Sequence, residues 1–103
     1  MSILNEIEQR LNPIEWDADG EAYVDTDEIE AQLFRVGSDK VIVSLLVSKK
    51  QGEGNARRFL QSLKDQFKTV HASGVDEKSF PFWDKMRRER LVDSITDDTG
   101  ADL

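Results

Sequence analysis

Two glycines separated by one residue, Gly52 and Gly54, mark the stretch of this chain whose residue types could do chemistry. Glycine lets the backbone turn tightly, and it lets a phosphate oxygen come close to main-chain amides. Cationic side chains that could neutralise a pyrophosphate lie on both sides of the glycines: Lys49, Lys50, Arg57 and Arg58. The stretch therefore predicts a phosphate-binding loop.

This loop lies between a predicted strand and a predicted helix. Residues 41–47 are apolar except for Ser44 and are β-branched or leucine-rich, which is typical of a buried strand. Residues 56–67 carry apolar side chains at helical spacing on one face, which predicts an amphipathic helix. The first amides of a helix have no acceptor within it, so this order of elements would present free N–H donors to an anion.

The chain before this stretch predicts an antiparallel meander. Residues 14–25 predict a hairpin with an Asp-Gly turn that sets Trp16 opposite Tyr23. Residues 29–33 alternate apolar and polar side chains as a strand does, and a helix in the same region is the alternative. A turn at residues 37–39 then leads into the buried strand.

After the central helix, the sequence predicts one more strand and one more helix. Residues 69–75 predict the strand, and it should be a parallel neighbour of the buried strand because a helix joins the two. Ser79 can cap the last helix, which has Pro81 in its first turn and apolar residues as far as Leu91 and Ile95. The predicted fold class is α/β (α+β), with a mixed, mainly antiparallel sheet flanked by helices.

The two ends of the chain are predicted to differ. Residues 2–12 repeat apolar side chains at helical spacing and predict a short helix that Pro13 ends. Residues 96–103 are rich in aspartate, glycine and threonine and predict a flexible acidic tail. At 103 residues, with no repeat and no linker, the chain is expected to fold as a single domain over residues 1–95.

Charge is divided along the sequence. Residues 1–39 hold eleven acidic and two basic side chains, whereas residues 40–92 hold twelve basic and six acidic ones. This division indicates two partners of opposite charge, and it makes the acidic N-terminal face a candidate site for a basic protein. The alternative is that acidic and basic side chains mix on the surface of the folded chain. The pI of about 4.6 and the lack of a recognised module argue against nucleic acid.

The composition also bears on location. The chain has no cysteine and no run near the ~20 apolar residues that span a bilayer. Its first residues are not basic and then apolar, as a secretion signal would be. These features predict a cytoplasmic protein without disulfides or contact with a membrane.

Other residues with chemical potential are interpreted as structural. His71 has no second histidine or cysteine near it, so we expect a hydrogen-bonded residue and predict no metal site. Phe82 and Trp83 are expected in the core, and Ser44 lacks the partners of a nucleophile. The carboxylates of residues 17–30 predict a solvated acidic face, or a surface that attracts a cationic acceptor.

The order of residues after the buried strand resembles the Gcn5-related N-acetyltransferase family. That family carries the motif [QR]-x-x-G-x-[GA] between a central strand and the following helix. The chain reads Lys49-Lys50-Gln51-Gly52-Glu53-Gly54, with lysine at the first position. The family's later helix carries an aromatic pair, which is Phe82-Trp83 in this sequence. The resemblance covers residues 41–86.

The resemblance implies an acyl-CoA N-acyltransferase-like fold and a function in acetyl transfer from acetyl-coenzyme A to an amine acceptor, either a small molecule or a protein. It implies that loop and helix amides hold the pyrophosphate, and that a strand amide near Val47 holds the thioester. The implied cofactor-binding residues are Val47, Lys49, Gln51, Gly52, Glu53, Gly54, Asn55 and Ala56.

The catalytic residues stay unassigned because two positions depart from the family pattern. The family's frequent general acid is a tyrosine, where this chain has Trp83, and an indole N–H donates a hydrogen bond but supplies no proton. The family often has a glutamate base on the central strand, where this chain has Ser44. The alternative function is a non-catalytic acidic interaction or inhibitor protein on the same fold, which binds a basic partner.

Overall fold

The computed structural model of the chain describes residues 14–50 and 52–103. In these residues a five-stranded sheet is covered by two helices. The helix expected in residues 2–12 lies outside the described residues. In chain order the elements are β1 (Glu21–Asp25), β2 (Ile29–Val36), β3 (Lys40–Ser48), α1 (Asn55–Gln66), β4 (Thr69–Ala72), α2 (Phe80–Arg88) and β5 (Ser94–Ile95).

The strands lie in the sheet in the order in which they occur in the chain. β1, β2 and β3 form an antiparallel meander, whereas β3, β4 and β5 are parallel because a helix returns the chain between them. Buried residues of both helices belong to the same core, so the helices cover one face of the sheet: Leu60 and Leu63 from α1, Trp83 and Met86 from α2. The mixed α+β class is confirmed.

Burial explains why residues 29–36 form a strand. Ile29, Ala31 and Leu33 are at most 6% exposed, whereas the side chains between them point away from the core. This period of two excludes the helix that Glu, Ala and Gln would favour, because packing on one face outweighs local helix propensity. Thr26 begins the strand by accepting the N–H of Ile29 at its Oγ1, 3.1 Å away.

The hairpin predicted over residues 14–25 is wrong. Residues 14–16 are not in a strand, and β1 pairs with β2 instead. The Asp17 carboxylate accepts the N–H groups of Asp19 and Glu21, both at 2.9 Å, and these bonds close a turn before the strand. The turn that the Asp17 side chain closes therefore takes the place of the hairpin that the Asp-Gly pair predicted.

Trp16 consequently does not face Tyr23. Its ring packs edge-on against Phe67 at the end of α1, with ring centroids 5.9 Å apart. The guanidinium carbon of Arg35 lies 5.5 Å from the centroid of the same indole ring, which is within the range of a cation–π contact. Trp16 thus closes one end of the core.

α2 ends before Ile95, which the sequence predicted it would include. Its last residue is Arg88, Arg90 has a φ of 64°, and Leu91 donates its N–H to the Met86 carbonyl at 2.9 Å. The left-handed residue reverses the chain and directs Ile95 into β5. The apolar spacing continues past the end of α2 because Leu91 and Ile95 are also buried, Leu91 by the turn and Ile95 by β5.

Residues 96–103 form hydrogen bonds with the sheet and with one another. Thr96 donates its N–H to the Ala72 carbonyl at 2.9 Å, and Leu103 donates to the Ile95 carbonyl at 3.0 Å. Asp97 accepts the hydroxyl of Thr99 and the N–H groups of Ala101 and Thr99, and these bonds lower the pKa of its carboxyl. The flexibility of this segment stays a prediction.

Candidate functional site

The site begins at an open edge of β3. The ladder between β3 and β4 ends at Val43 and Ala72, and Ser73 adds a last bond to the Val43 carbonyl at 2.9 Å. The chain then turns away at Gly74, whose φ is 68°, while β3 continues as far as Ser48. Beyond Val43, one side of β3 faces no other strand among the described residues.

A β-bulge reverses the alternation of β3 at this point. The register with β2 shifts between Gln32 and Leu33, which makes Ser44 the extra residue. The Ser44 hydroxyl donates to the Gln32 carbonyl at 3.3 Å. Side chains of residues 46 and 48 consequently point to the helix-covered face, which residues 41 and 43 occupy earlier in the strand.

The register decides which main-chain groups lie on the open edge. Lys49 donates its N–H to the Glu28 carbonyl at 2.8 Å, so the main-chain groups of Lys49 point to β2. Alternation directs those of Val47 to β2 as well, and directs those of Leu46 and Ser48 away from it. The strand amides available on the open edge are therefore those of Leu46 and Ser48.

α1 begins beside this edge without a capping side chain. Gly54, with a φ of 72°, is the N-cap, and Arg58 makes the first helical bond to its carbonyl at 3.0 Å. The amides of Asn55, Ala56 and Arg57 have no acceptor in the described part of the chain. The first turn has no acidic residue but two arginines, so amides, helix dipole and side chains all favour an anion.

Asn55 carries an unpaired donor at the helix start. Its side chain is only 4% exposed, and its Oδ1 accepts a bond from the Arg58 guanidinium. Its Nδ2 has no acceptor within residues 14–50 and 52–103. A buried donor without a partner costs about 1–3 kcal/mol. Asn55 is also one of the residues that line the adjoining groove.

A groove of about 630 Å³ joins the open edge, the start of α1 and one side of α2. Among the described residues that line it, three side chains are cationic, four are large and apolar, and none is acidic. Such a lining favours an elongated ligand with an anionic part and an apolar part. The lining residues are Leu46, Ser48, Gly52, Gly54, Asn55, Ala56, Arg57, Lys78, Ser79, Phe82, Trp83, Lys85 and Met86.

The cations of the groove differ in how they are compensated. Arg57 Nη2 lies 2.6 Å from Glu89 Oε1, an ion pair that ties α1 to the end of α2. Lys78 and Lys85 form no ion pair with another described residue. These two lysines therefore offer uncompensated positive charge to a ligand.

The structure brings four of the sequence-predicted site residues to the groove: Gly52, Gly54, Asn55 and Ala56. Glu53 is exposed, and its main-chain carbonyl accepts a hydrogen bond of 2.7 Å from Arg58 Nη1. The glycines and the helix start thus lie together, as the order of the elements predicted.

Two other predicted site residues, Val47 and Lys49, lie away from the groove. Val47 is 42% exposed, its side chain lies on the face opposite the groove, and its main chain pairs with Glu30 of β2. Lys49 forms an ion pair with Asp25 at the end of β1. Gln51 lies outside the described residues.

Two walls of the groove were not predicted. Leu46 and Ser48 reach it only because the bulge changes the direction of the side chains, and the one sequence signal was a polar residue, Ser44, in an apolar strand. Lys78, in the connection before α2, and Met86, in α2 itself, also line it. Periodicity places residues on a helix face but does not orient one helix toward another.

Three residues that the sequence interpreted as structural, His71, Phe82 and Trp83, make structural contacts. His71 Nδ1 lies 2.6 Å from Ser94 Oγ and its Nε2 lies 2.9 Å from Thr96 Oγ1, which confirms the expected hydrogen-bonded histidine. Phe82 and Trp83 pack edge to face, 5.1 Å between ring centroids, and Trp83 is 6% exposed. The predicted place of Trp83 in the core is confirmed, whereas Phe82 is half-buried, packs against the core and lines the groove.

Asp17, Asp19 and Glu21 form an exposed group of carboxylates whose oxygens lie within 4.8 Å of one another. One Asp17 oxygen already accepts hydrogen bonds from two main-chain amides.

In the described part of the chain, neither helix is long and apolar enough to cross a bilayer. Comparisons with models of protein families, with curated proteins and with solved structures find no match to this chain.

Proposed function

We propose that this chain binds acetyl-coenzyme A or a related acyl-coenzyme A and transfers the acyl group to an amine, on a fold like that of the Gcn5-related N-acetyltransferases. The observation that carries the proposal is the groove in which the open edge of β3 meets the uncapped start of α1. The unpaired amide of Asn55 in the lining supports a ligand with oxygen acceptors.

The groove residues fit this class of ligand. Coenzyme A has a pyrophosphate, and the free amides of residues 55–57 suit it. Lys78 and Lys85 add positive charge and form no ion pair with any residue that the structure describes. The ligand's pantetheine arm is long, and it contains amide groups. The apolar wall at Phe82 and Met86 suits its carbon chain, and the free strand edge suits its amides.

The family motif also fits the chain two residues later than the alignment described above. In that alignment the three specified positions are Gln51, Gly54 and Ala56, with no departure from [QR]-x-x-G-x-[GA]. Gly54 is then the N-cap of α1, and Ala56 lies in its first turn, in the groove lining. In this second alignment Glu53 no longer stands between the two specified small residues.

In the proposed reaction the chain acts by positioning. The amine nitrogen bonds to the thioester carbonyl carbon, the carbon–sulfur bond breaks, the sulfur leaves as a thiolate, and the amine's proton goes to water. The N–H of Leu46 or Ser48 on the open edge can donate to the carbonyl oxygen as negative charge develops there. Buried Trp83 offers no titratable proton, so no general acid is assigned.

Calorimetric titration of the full chain with acetyl-coenzyme A tests binding. We expect saturable binding, weakened about tenfold or more in Asn55→Asp, because a carboxylate replaces the unpaired donor and repels phosphate. The same substitution should leave the chain as stable or more stable, since aspartate is favourable at a helix start and pairs with Arg58. Weaker binding of acetyl-coenzyme A without a loss of stability identifies Asn55 as a binding residue.

Gln66→Glu is the matched control, because it adds the same charge at the far end of α1 and should leave binding unchanged. A folded chain that binds no acetyl-coenzyme A at millimolar concentration rules the proposal out, as does equal weakening by the two variants. Transfer is then measured with a thiol-reactive dye, which reports only released coenzyme A because the chain has no cysteine. Binding without amine-dependent release selects the non-catalytic alternative.

A further inference from the structure

The face of the sheet opposite α1 and α2 carries a patch of exposed apolar side chains. We call the side chains of β1–β3 that point away from the helices the outer face. Tyr23 is 56% exposed, Phe34 39%, Val36 50% and Val47 42%. Apart from Leu103, these are the exposed large apolar residues of the described part of the chain, and all four lie on the outer face.

A cleft of about 280 Å³ opens where the outer face meets the turn before β1. Tyr23 and Phe34 supply aromatic rings, Asp17 and Glu21 supply carboxylates, and no lining residue within 14–50 and 52–103 is basic. A ring face attracts a cation, and a carboxylate pairs with a guanidinium through two parallel hydrogen bonds. The chemistry of the cleft fits an arginine side chain, and a lysine less closely.

An aromatic ring and a carboxylate of the cleft are each held in place by hydrogen bonds within the chain before a partner binds. The Tyr23 hydroxyl donates to the Glu30 carboxylate on the neighbouring strand. This bond, with the nearby charge of Glu30, raises the pKa of Tyr23 to about 12, so the ring stays neutral. The Asp17 carboxylate is fixed by the amides of Asp19 and Glu21. Such preorganisation lowers the entropic cost of binding.

The charge of this region selects the occupant. Residues 14–36 hold eight acidic side chains and one basic one, a net charge of −7 in a hairpin and its preceding turn. A second copy placed on the same face would bring two such surfaces together, at a cost in repulsion. We propose that the outer-face cleft docks an arginine-bearing basic segment of another protein. The surface lies on the face opposite the groove and does not depend on acyl-coenzyme A.

The test uses a terminally blocked peptide of alternating alanine and arginine, titrated into the full chain while main-chain amide NMR shifts are followed. We expect shifts confined to residues 17–34, an affinity that falls as salt is added, and no binding of the alanine–glutamate peptide. Glu21→Gln and Phe34→Gln should each weaken binding about threefold or more, since each removes one wall of the cleft.

Glu77→Gln removes the same charge at an exposed position outside the cleft and should leave the affinity unchanged. Tyr23→Phe keeps the ring and should also keep most of the affinity. Equal weakening by Glu21→Gln and Glu77→Gln, shifts spread over the chain, or no shifts at millimolar peptide would each overturn the proposal. So would a dimer in sedimentation that Glu21→Gln dissociates, because the face would then belong to a second copy.

Discussion

His71 is held neutral by its surroundings. Burial is the largest cause of its lowered pKa and the nearby charge of Lys40 adds to it, while Asp102 acts in the opposite direction. A neutral imidazole has one donor and one acceptor nitrogen, and the hydroxyls of Ser94 and Thr96 match that pair. A hydroxyl can donate or accept, so these two bonds suit either protonation state, and burial together with Lys40 favours the neutral imidazole.

This environment predicts a pH dependence of stability. Below about pH 6.5 the unfolded chain takes a proton on His71 that the folded chain resists. The unfolded state then binds more protons, so the free energy of unfolding should fall as the pH falls, between the unfolded pKa and the lower folded one. Urea unfolding across this window, with His71→Gln as the comparison, measures the effect. The variant should show a smaller slope, and equal slopes would contradict the prediction.

At the scale of elements, β3 is one strand with two kinds of surroundings. Its first half lies between β2 and β4, and its second half has β2 as its one partner among the strands that the structure describes. The bulge at Ser44 separates the halves and directs Leu46 to the groove rather than to solvent. The candidate site therefore depends on a strand that loses one neighbour, together with a helix that starts beside the gap.

The register of β3 predicts a pattern of hydrogen exchange. The Leu46 and Ser48 amides should exchange about tenfold faster or more than the Val47 amide, because only the latter lies in the ladder with β2. Exchange followed by NMR in deuterated solvent measures the three rates. Acetyl-coenzyme A should slow Leu46 more than Val47 if the ligand pairs with the edge. A Val47 amide that exchanges as fast as that of Leu46 would show that the register is wrong.

At the scale of the whole molecule, charge is unevenly distributed and the C-terminal segment packs against the sheet. The described lining of the groove has three cations and no acid, whereas the β1–β2 hairpin and the turn before it are strongly acidic. Residues 96–103 pack beside β5, where Thr96 bonds to Ala72 and Arg87 Nη1 donates to the Leu103 carbonyl at 2.6 Å. The C-terminal segment thus contacts both the sheet and α2.

These contacts predict that a chain ending at Ile95 is less stable. It loses the bonds of Thr96 to Ala72, to Val75 and to His71, each of which contributes about 0.5–1.5 kcal/mol. We expect Tm to fall by roughly 10 °C, since 1 kcal/mol shifts it by about 4–8 °C in a domain of this size. Calorimetry of the two chains measures this. An unchanged Tm would instead support a flexible tail.

The elements with strong local periodicity could be predicted from the sequence. β2, β3 and α1 follow from the spacing of apolar residues, and the parallel pairing of β4 with β3 follows from the helix between them. The glycines at the start of α1 also predicted an anion-binding position, because free helix amides are a local property. The groove's other walls could not be predicted in this way.

The sequence by itself determined the strand–loop–helix unit, the cationic side chains around it and the acidity of the first forty residues. Only the tertiary structure decided that β1 pairs with β2, that α2 stops at Arg88, and that Ser44 bulges so that Leu46 enters the groove. The physical reason is range. Periodicity records which face of an element is buried, whereas strand partners, bulges and the walls of a groove depend on contacts between residues distant in the chain.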